Sequence, residues 1–332
     1  MISVGLLGTG RIGNLHAENV ASHRESTLTA VSDINDETAK NLATQFGAIV
    51  KSADEVISDP NIDAILIATS TDTHSDFIEK ASSAGKAIFC EKPVDLSLKR
   101  AKECLDKVSS AKNPIMVGFN RRFDPNFAQL KKSLDNGEIG NRELLTITSF
   151  DPAPPPISYV KTSGGLYRDM MIHDFDLSNF IMGELPISIS AVGHSLVDPA
   201  IGVAGDVDTA VVTMVYADGK IAVIKNSRRA AYGYDQRIEI LGSEGLLQAE
   251  NILENSVVKS NNDGVISAKP KYFFLERYIG AFKAEWDAFL KSIHNHKPVP
   301  VTLKDGVAAL AMAEAATQSQ NTGKSIQLKE LL

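Results

Sequence analysis

The segment 164–180 carries the residue types that acid–base chemistry requires. Asp169 and His173 are four residues apart and Asp176 follows three residues later, so in a helix all three would lie on or near one face. A carboxylate and an imidazole one helical turn apart can reach a common substrate atom. The same pattern is typical of a capped core helix with a satisfied histidine, so the segment alone leaves both interpretations open.

A glycine-rich turn near the N-terminus points to a dinucleotide. The first apolar run ends at Gly8-Thr9-Gly10-Arg11-Ile12-Gly13. This is a GxGxxG pattern between a predicted strand and a predicted helix. Gly8 permits the tight turn, Gly10 lets a pyrophosphate approach the backbone, and Gly13 lets the helix pack closely on the strand. Free N–H groups at the helix N-terminus would bind the phosphates, so Arg11 and Ile12 join the three glycines as expected cofactor-binding residues.

The second predicted strand indicates which dinucleotide binds. It ends at Ser32-Asp33, and Asp33 lies 20 residues beyond Gly13, a spacing typical of the acidic residue that hydrogen-bonds the adenosine ribose. Its carboxylate would repel a 2′-phosphate, so the sequence favours NAD over NADP. Arg11 could bind such a phosphate and is the argument against a strict preference.

Strands and helices alternate up to Gly118, which predicts an N-terminal Rossmann domain with a doubly wound parallel sheet. Ligands of such sheets bind beyond the carboxyl ends of the strands. Thr69, Ser70 and His74 follow one of these ends. This stretch either caps the next helix, with Thr71 to His74 starting it, or contacts the ribose and nicotinamide side of the cofactor.

Lys92 follows the next predicted strand, in Glu91-Lys92-Pro93. The proline restricts the backbone there, and a lysine at a strand end would point into the cleft. We therefore favour a catalytic or substrate-binding role over a solvated surface charge. Glu91, Lys92 and, after the following strand, Asn120 are also expected to contact the cofactor.

Two arginines come directly after Asn120, at Arg121 and Arg122. One of the two is expected to be surface charge. The other, with Asn120, is expected to lie where a polyhydroxylated or anionic substrate meets the nicotinamide.

The second half predicts a different architecture. Strand candidates between residues 143 and 259 are separated by short turns, which predicts an α+β domain with a large, mostly antiparallel open sheet. A helix over 165–182 would cover one face, and the other face needs a partner subunit, so we expect a homo-oligomer. We place the domains at 1–123 for the NAD-binding domain, 124–304 for the substrate-binding and oligomerisation domain, and 305–332 for a helix and tail that return to the first domain.

Composition argues against several classes of protein. A net charge of -7 gives no basic excess for nucleic acid or an acidic membrane, no apolar run is long enough for a membrane span, and we expect no signal peptide. Cys90 and Cys104 form neither a disulfide framework nor a CxxC pair, which is typical of a reducing cytoplasm. A metal at His173, Asp174 and Asp176 is not favoured because no second histidine stands at a useful spacing.

Together these motifs resemble those of the glucose-fructose oxidoreductase, inositol dehydrogenase and rhizopine-catabolism (Gfo/Idh/MocA) family. The shared motifs are the glycine loop, Glu91-Lys92-Pro93, Gly118-Phe119-Asn120-Arg121-Arg122 and the segment 164–173. Two further segments, 169–176 and 226–237, resemble the inositol dehydrogenase members. The resemblance covers nearly the whole chain.

The resemblance implies a catalytic set that corresponds here to Lys92, Asp169 and His173. It also implies that Arg122 and a tyrosine of the 232–234 loop hold substrate hydroxyls, which makes Tyr232 and Tyr234 the candidates. Further implications are a tetramer built through the C-terminal sheet and NAD-dependent oxidation of a cyclic polyol, above all an inositol isomer such as myo-inositol, to the ketone by hydride transfer.

Three alternatives remain open at this point. The first is a dehydrogenase of another sugar or sugar acid, the second an NAD-dependent glycosidase, and the third a non-catalytic NAD-sensing module. One segment also departs from the family pattern: 151–156 is unusually rich in proline. It could alter which polyol fits.

Overall fold

The computed structural model describes every residue from Met1 to Leu332, and the chain divides into two compact units. The first unit contains Met1–Asn120 and Phe282–Leu310, and the second contains Arg121–Ala281 and Ala311–Leu332. No helix in the structure combines the length and the apolar character that crossing a membrane requires.

The first unit is built on a six-stranded parallel sheet with the strand order β3-β2-β1-β4-β5-β6. Its strands and helices are β1 Ile2–Leu7, α1 Arg11–Ser22, β2 Ser26–Ser32, α2 Asp36–Phe46, β3 Ile49–Val50, α3 Ala53–Ser58, β4 Ala64–Ile67, α4 His74–Ser83, β5 Ala87–Glu91, α5 Leu98–Lys107 and β6 Ile115–Gly118. Every residue of β4 and β5 is buried, as expected for strands covered by helices on both faces. The predicted Rossmann domain is confirmed, and the strand order places the loops after β1, β2, β4 and β5 at the ligand-binding edge.

The second unit is built on a seven-stranded sheet. The remaining elements of the chain are α6 Pro125–Asp135, β7 Arg142–Phe150, α7 Ile157–Val160, α8 Leu166–Asp169, α9 Ile172–Met182, β8 Ser188–His194, α10 Pro199–Val203, β9 Thr209–Val215, β10 Ile221–Ser227, β11 Asp235–Gly242, β12 Gly245–Ala249, β13 Val258–Asn261, β14 Gly264–Ser267, α11 Phe274–Arg277, α12 Ile279–Asn295, α13 Leu303–Thr322 and β15 Ile326–Gln327. The strand order is β12-β11-β7-β10-β9-β8-β15, and only the β7–β10 pair is parallel. The predicted mostly antiparallel sheet is therefore confirmed.

The expected continuous helix over 165–182 is interrupted. α8 ends at Asp169 and α9 begins at Ile172. The break has a local cause, because the N–H of Met171 donates to the carbonyl of Leu166, five residues back, at 2.9 Å. This bond replaces one step of the regular four-residue ladder. Asp169 thus ends one short helix and His173 lies in the first turn of the next.

The unit boundaries differ from the expected domains in the last part of the chain. The segment 282–304, expected in the second domain, lies in the first unit, and 311–332, expected to return to the first domain, lies in the second unit. Aromatic packing explains the first difference: on α12, Trp286 and Phe289 have ring centroids 6.0 and 5.7 Å from that of Phe89 on β5. Edge-to-face contacts of this kind add to a large buried apolar area.

Candidate active site

In the glycine loop after β1, Gly8 and Gly13 are packed against backbone atoms, whereas Gly10 faces open space. A Cβ added to Gly13 would lie 2.0 Å from the carbonyl oxygen of Gly8, and one added to Gly8 would lie 2.4 Å from that of Ala68. Gly8 also has a φ of +93°, a left-handed conformation that favours glycine. By contrast, a Cβ on Gly10 would meet no protein atom within 4 Å. The open side at Gly10 fits a pyrophosphate that approaches the N-terminus of α1.

Asp33, at the end of β2, is tied to this loop. Its Oδ2 accepts hydrogen bonds from the backbone N–H of Thr9 at 2.6 Å and from the Thr9 hydroxyl at 2.9 Å, and its Oδ1 accepts from the N–H of Asn35 at 2.8 Å. Burial raises the pKa of Asp33, but the hydrogen bonds from Asn35 and Thr9 outweigh burial and lower it. The side chain is a fixed anion at the ligand-binding edge, the type of group that accepts from a ribose hydroxyl in dinucleotide-binding folds. Arg11 is exposed and Ile12 is half-buried on the first turn of α1.

The loop after β4 is closed by its own side chains. The hydroxyls of Thr69 and Thr73 are 2.7 Å apart, and the Thr73 hydroxyl donates to the carbonyl of Ser70 at 2.8 Å. A short 3₁₀ turn over Thr71–Thr73 leads into α4 at His74, so the helix starts where the first alternative placed it, but no side chain caps it. Ser70 is exposed and Thr69 is half-buried.

His74 lies inside the first unit, with only 1% of its surface exposed. Its Nδ1 is 2.8 Å from the carbonyl oxygen of Pro93 and its Nε2 is 3.1 Å from that of Thr69. Burial lowers the pKa of His74, and the hydrogen bonds to Pro93 and Thr69 offset only part of that effect. Since both ring nitrogens face backbone carbonyls, His74 joins the loop after β4 to the loop after β5.

The loop after β5 carries Lys92. The Lys92–Pro93 peptide is cis, and the Lys92 side chain is half-buried. Next to it, the Oε1 atom of Glu91 is 2.6 Å from Nε2 of His16 on α1. Sequence reasoning missed His16, although it lies three residues beyond the glycine loop on the same helix. Asn120, at the end of the first unit, is buried.

In the second unit, Asp169 is held by two side chains from other elements. Its Oδ1 accepts from the Tyr159 hydroxyl at 2.8 Å and its Oδ2 from the Arg228 guanidinium at 2.8 Å. Arg228 also donates to Asp151 at 3.1 Å. Burial raises the pKa of Asp151, and Arg228 offsets part of that rise. We call Asp151, Tyr159, Asp169 and Arg228 the Asp169 cluster.

His173 is half-buried in the first turn of α9, and the residue after it anchors that turn. Asp174 is fully buried and accepts hydrogen bonds from the Ser149 hydroxyl at 2.6 Å, from the Asn226 amide at 2.8 Å and from the guanidinium of Arg121. Ser149 and Asn226 are register partners on β7 and β10. A polar ladder on the sheet therefore fixes the helix turn that carries His173.

Both arginines after Asn120 are buried in ion pairs of the second unit. Arg121 pairs with Asp174, and its side chain is 4% exposed. Arg122 donates through Nε to Asp176 at 2.8 Å and through a second nitrogen to the other carboxylate oxygen, and its side chain is 9% exposed. The expectation that one of the two is surface charge is therefore wrong, because each has a buried carboxylate of α9 as a partner.

The two tyrosines that we expected at the substrate differ in exposure. Tyr232 is exposed, and its hydroxyl donates to Asp235 at 2.6 Å. Burial and the contact with Asp235 raise the pKa of Tyr232 to about 12. Tyr234 is buried, with its ring edge-to-face against Tyr278 at 6.1 Å.

Sequence reasoning did not identify Asp151, Tyr159 or Arg228 as site residues. Arg228 stands in a segment that resembles inositol dehydrogenases, and Asp151 begins the proline-rich segment. Their pairing leaves no periodic signal, because Arg228 is 59 residues from Asp169 and 77 from Asp151. In the structure no group of three or more His, Cys, Asp or Glu side chains is arranged to hold a metal ion.

The parallel sheet, the glycine loop and the anionic Asp33 define an NAD-binding oxidoreductase with a second, α/β unit. Two family profiles match the chain: "oxidoreductase family, NAD-binding Rossmann fold" over residues 2–119 and "oxidoreductase family, C-terminal alpha/beta domain" over residues 131–328. The chain belongs to the Gfo/Idh/MocA oxidoreductase family, and its cofactor is NAD. The predicted family and cofactor are confirmed.

Relatives match over the full length. The chain is 46% identical to an inositol 2-dehydrogenase of Rhizobium meliloti (strain 1021), over 98% of this chain and 99% of the relative. It is 43% identical to a myo-inositol 2-dehydrogenase of Thermotoga maritima, over 99% of each chain. The crystal structure of a scyllo-inositol dehydrogenase from Lactobacillus casei with bound NAD(H) and scyllo-inositol superposes with a TM-score of 0.93 at 31% identity, over 99% of each chain.

Proposed function

We propose that this enzyme oxidises one carbinol of myo-inositol to the ketone, an inosose, and transfers the hydride to NAD+. One observation carries the choice of substrate. The relatives named as inositol 2-dehydrogenases match 98% or more of this chain, so the likeness includes the whole second unit and not only the NAD-binding unit.

We assign the chemistry to Lys92, Asp169 and His173. Bound NAD+ supplies the hydride acceptor. His173 accepts the proton of the reacting hydroxyl, and Asp169 accepts a hydrogen bond from a substrate hydroxyl and orients the imidazole. Lys92 stabilises the developing alkoxide or takes the proton itself. The anchored first turn of α9 supports the assignment of His173, because a base must be held in place to act.

We assign the holding of substrate hydroxyls to Arg122, Tyr232 and Tyr234. The bidentate pair with Asp176 fixes the plane of the Arg122 guanidinium, so the group is held in one orientation. Of the two tyrosines, Tyr232 is the better supported, because it is exposed and Tyr234 is buried.

The test is a screen for NADH formation with inositol isomers and common aldoses. We expect turnover with myo-inositol. Lys92→Ala and His173→Ala should each lower kcat by roughly 10² to 10⁴-fold, the usual contribution of an acid–base group, while NADH still binds. Lys99→Ala and His294→Ala are matched controls, because both side chains are exposed on helices outside the proposed set.

Other outcomes separate the alternatives. Turnover only with aldoses would identify a sugar dehydrogenase. Cleavage of a glycoside without net NADH formation would identify a glycosidase, and NADH binding without turnover of any compound would indicate a sensor. Full activity of Lys92→Ala or His173→Ala would refute the role of that residue.

We also propose a cytoplasmic homotetramer assembled through the outer face of the seven-stranded sheet. Leu144, Ile221, Leu241 and Leu246 are exposed and are neighbours in register across β10, β7, β11 and β12. An exposed apolar row of this kind is typical of a subunit interface. Two free, buried cysteines support a reducing compartment.

Size-exclusion chromatography with light scattering tests the assembly. We expect four times the chain mass for the native protein and a smaller mass for the double variant Leu144→Glu, Leu241→Glu, since charges in the row oppose burial. A native protein that is monomeric at micromolar concentration would contradict the proposal.

A further inference from the structure

The Asp169 cluster links the proposed catalytic carboxylate to the proline-rich segment. Asp151 and Tyr159 stand at the two ends of the segment 151–159. Tyr159 contacts Asp169 directly, and Asp151 contacts it through Arg228. We propose that Tyr159 is a specificity-determining residue for the polyol and that Arg228 is the positioning residue that holds Asp169 beside it. This inference rests on the proposed function.

Arg228 fixes one side of the Asp169 carboxylate. The side chains of Arg228 and Asp169 are only 7% and 12% exposed, so the contact is largely shielded from water. The planar guanidinium donates from two different nitrogens, one to Asp169 and one to Asp151. A lysine has a single terminal nitrogen and cannot reproduce this fork. Arg228 therefore fixes the orientation of the Asp169 carboxylate.

Tyr159 occupies the other side. Its hydroxyl donates to Oδ1 of Asp169 at 2.8 Å, and 47% of its surface is exposed. A phenol that donates its only proton can still accept a hydrogen bond. Tyr159 and Asp169 thus present two adjacent oxygen acceptors of fixed orientation. Such a pair suits neighbouring hydroxyls on one ring, and it distinguishes polyols by the direction of those hydroxyls.

The chain between the two ends is stiff. Residues 152 and 154–156 are prolines, whose rings restrict φ. The N–H of Asp151 donates to the carbonyl of Ser227, the last residue of β10, at 2.9 Å, and the N–H of Tyr159 donates to the carbonyl of Pro156 at 2.9 Å. Asp151 is therefore attached to β10, and the turn from Pro156 to Tyr159 fixes Tyr159 relative to the prolines. The Tyr159 hydroxyl in turn is held at Asp169. In this way the departure of 151–156 from the family pattern bears on substrate choice.

Two substitutions in the full-length enzyme test the inference. Tyr159→Phe removes one hydroxyl, and we expect the KM for myo-inositol to rise roughly 5- to 50-fold with a smaller change in kcat. The ratio of kcat/KM between myo-inositol and scyllo-inositol should change as well. Tyr272→Phe is the matched control, because Tyr272 is exposed and lies outside the Asp169 cluster.

Arg228→Ala should lower kcat/KM for the polyol roughly 10- to 100-fold, the usual cost of a charge-assisted hydrogen bond. Added ethylguanidinium should restore part of this loss, and Arg228→Lys should not restore all of it. The KM for NAD+ and the melting temperature of Tyr159→Phe should match the native enzyme. Arg229→Ala and Arg229→Lys are the controls for the Arg228 variants, because Arg229 is the next residue in the chain and is exposed.

The outcomes separate this inference from the proposed function. If the native enzyme reduces NAD+ with none of the polyols tested, both the proposed function and this inference are overturned. A native enzyme that is active on inositol, with an unchanged isomer ratio in Tyr159→Phe and no guanidinium rescue of Arg228→Ala, would overturn this inference alone. If Arg228→Ala fails to fold, the isomer ratio of Tyr159→Phe decides, since that variant removes a single oxygen from a half-exposed ring.

Discussion

Asp33→Asn removes the charge of the residue expected to bind the ribose and keeps the shape of its side chain. The carboxylate accepts from Thr9 through Oδ2 and from Asn35 through Oδ1. Asparagine has one acceptor oxygen, so its NH2 group must face one of these two backbone N–H groups. Thr9 is buried and Asn35 is exposed, which means that the NH2 group turns towards Asn35, where water can replace the lost acceptor.

The magnitudes follow from that orientation. The loss for folding is about 1 kcal/mol or less, because the displaced N–H of Asn35 is exposed. The loss of free energy for cofactor binding is larger. The Oδ1 atom of aspartate, which could accept from a ribose hydroxyl, is replaced by the NH2 group of asparagine, which is a donor. Loss of a charge-assisted hydrogen bond of about 1.5 to 3 kcal/mol corresponds to a rise in the KM for NAD+ of roughly 10- to 150-fold. The discrimination against NADP+ should fall, since the repelling charge is gone.

Initial rates of NADH or NADPH formation at saturating myo-inositol, with NAD+ and NADP+ varied in turn, measure the KM for NAD+ and the discrimination against NADP+. Urea denaturation measures the effect on folding. Asp36→Asn is the matched control, because Asp36 is an exposed carboxylate three residues further on. An unchanged KM for NAD+ in Asp33→Asn, or an equal change in Asp36→Asn, would refute the reasoning.

Two further predictions concern the first unit. Gly13→Ala should lower the free energy of unfolding by about 1 to 3 kcal/mol, because the new Cβ meets the carbonyl of Gly8. Gly10→Ala should keep the native urea midpoint and weaken NADH binding in a fluorescence titration. Equal urea midpoints for the two variants would contradict this prediction. His74 has a lowered pKa in the folded state. Below pH 6.5, about the ordinary pKa of histidine, the unfolded chain therefore binds a proton that the folded chain does not. The free energy of unfolding should then decrease as the pH is lowered, by up to about 1.4 kcal/mol per pH unit. His74→Gln should flatten this part of the curve of unfolding free energy against pH, and an unaltered slope would show that His74 is not its source.

The glycine loop and Asp33 could be placed from the sequence because their determinants are local. Gly8, Gly10 and Gly13 act through backbone conformation and close approach within one turn, and Asp33 ends the adjacent strand, so spacing along the chain reports their position in space. The alternation of strands and helices likewise predicted that Lys92 follows a strand, and that strand, β5, is buried. The role of His74 was not predictable in the same way, because its partners are carbonyls of two different loops.

The candidate residues of the second unit were predictable in their types and not in their pairings. Asp169 and His173 were identified by their spacing, but the helix that was expected to carry both is interrupted between them. Arg121 and Arg122 are adjacent in sequence, and nothing in that pair indicates that each meets a different buried aspartate. Burial makes an unpaired charge costly, so such pairs form wherever packing brings opposite charges together.

By itself the sequence determined the Rossmann architecture, the NAD site and the residue types available for acid–base chemistry, because these depend on periodicity and on spacings of a few residues. Only the tertiary structure decided that most of α12 lies in the first unit, that Asp174 anchors the turn carrying His173, and that Tyr159 and Arg228 hold Asp169 between them. Those contacts join residues that are far apart along the chain, where the register of the sheet and the packing of helices choose the partners.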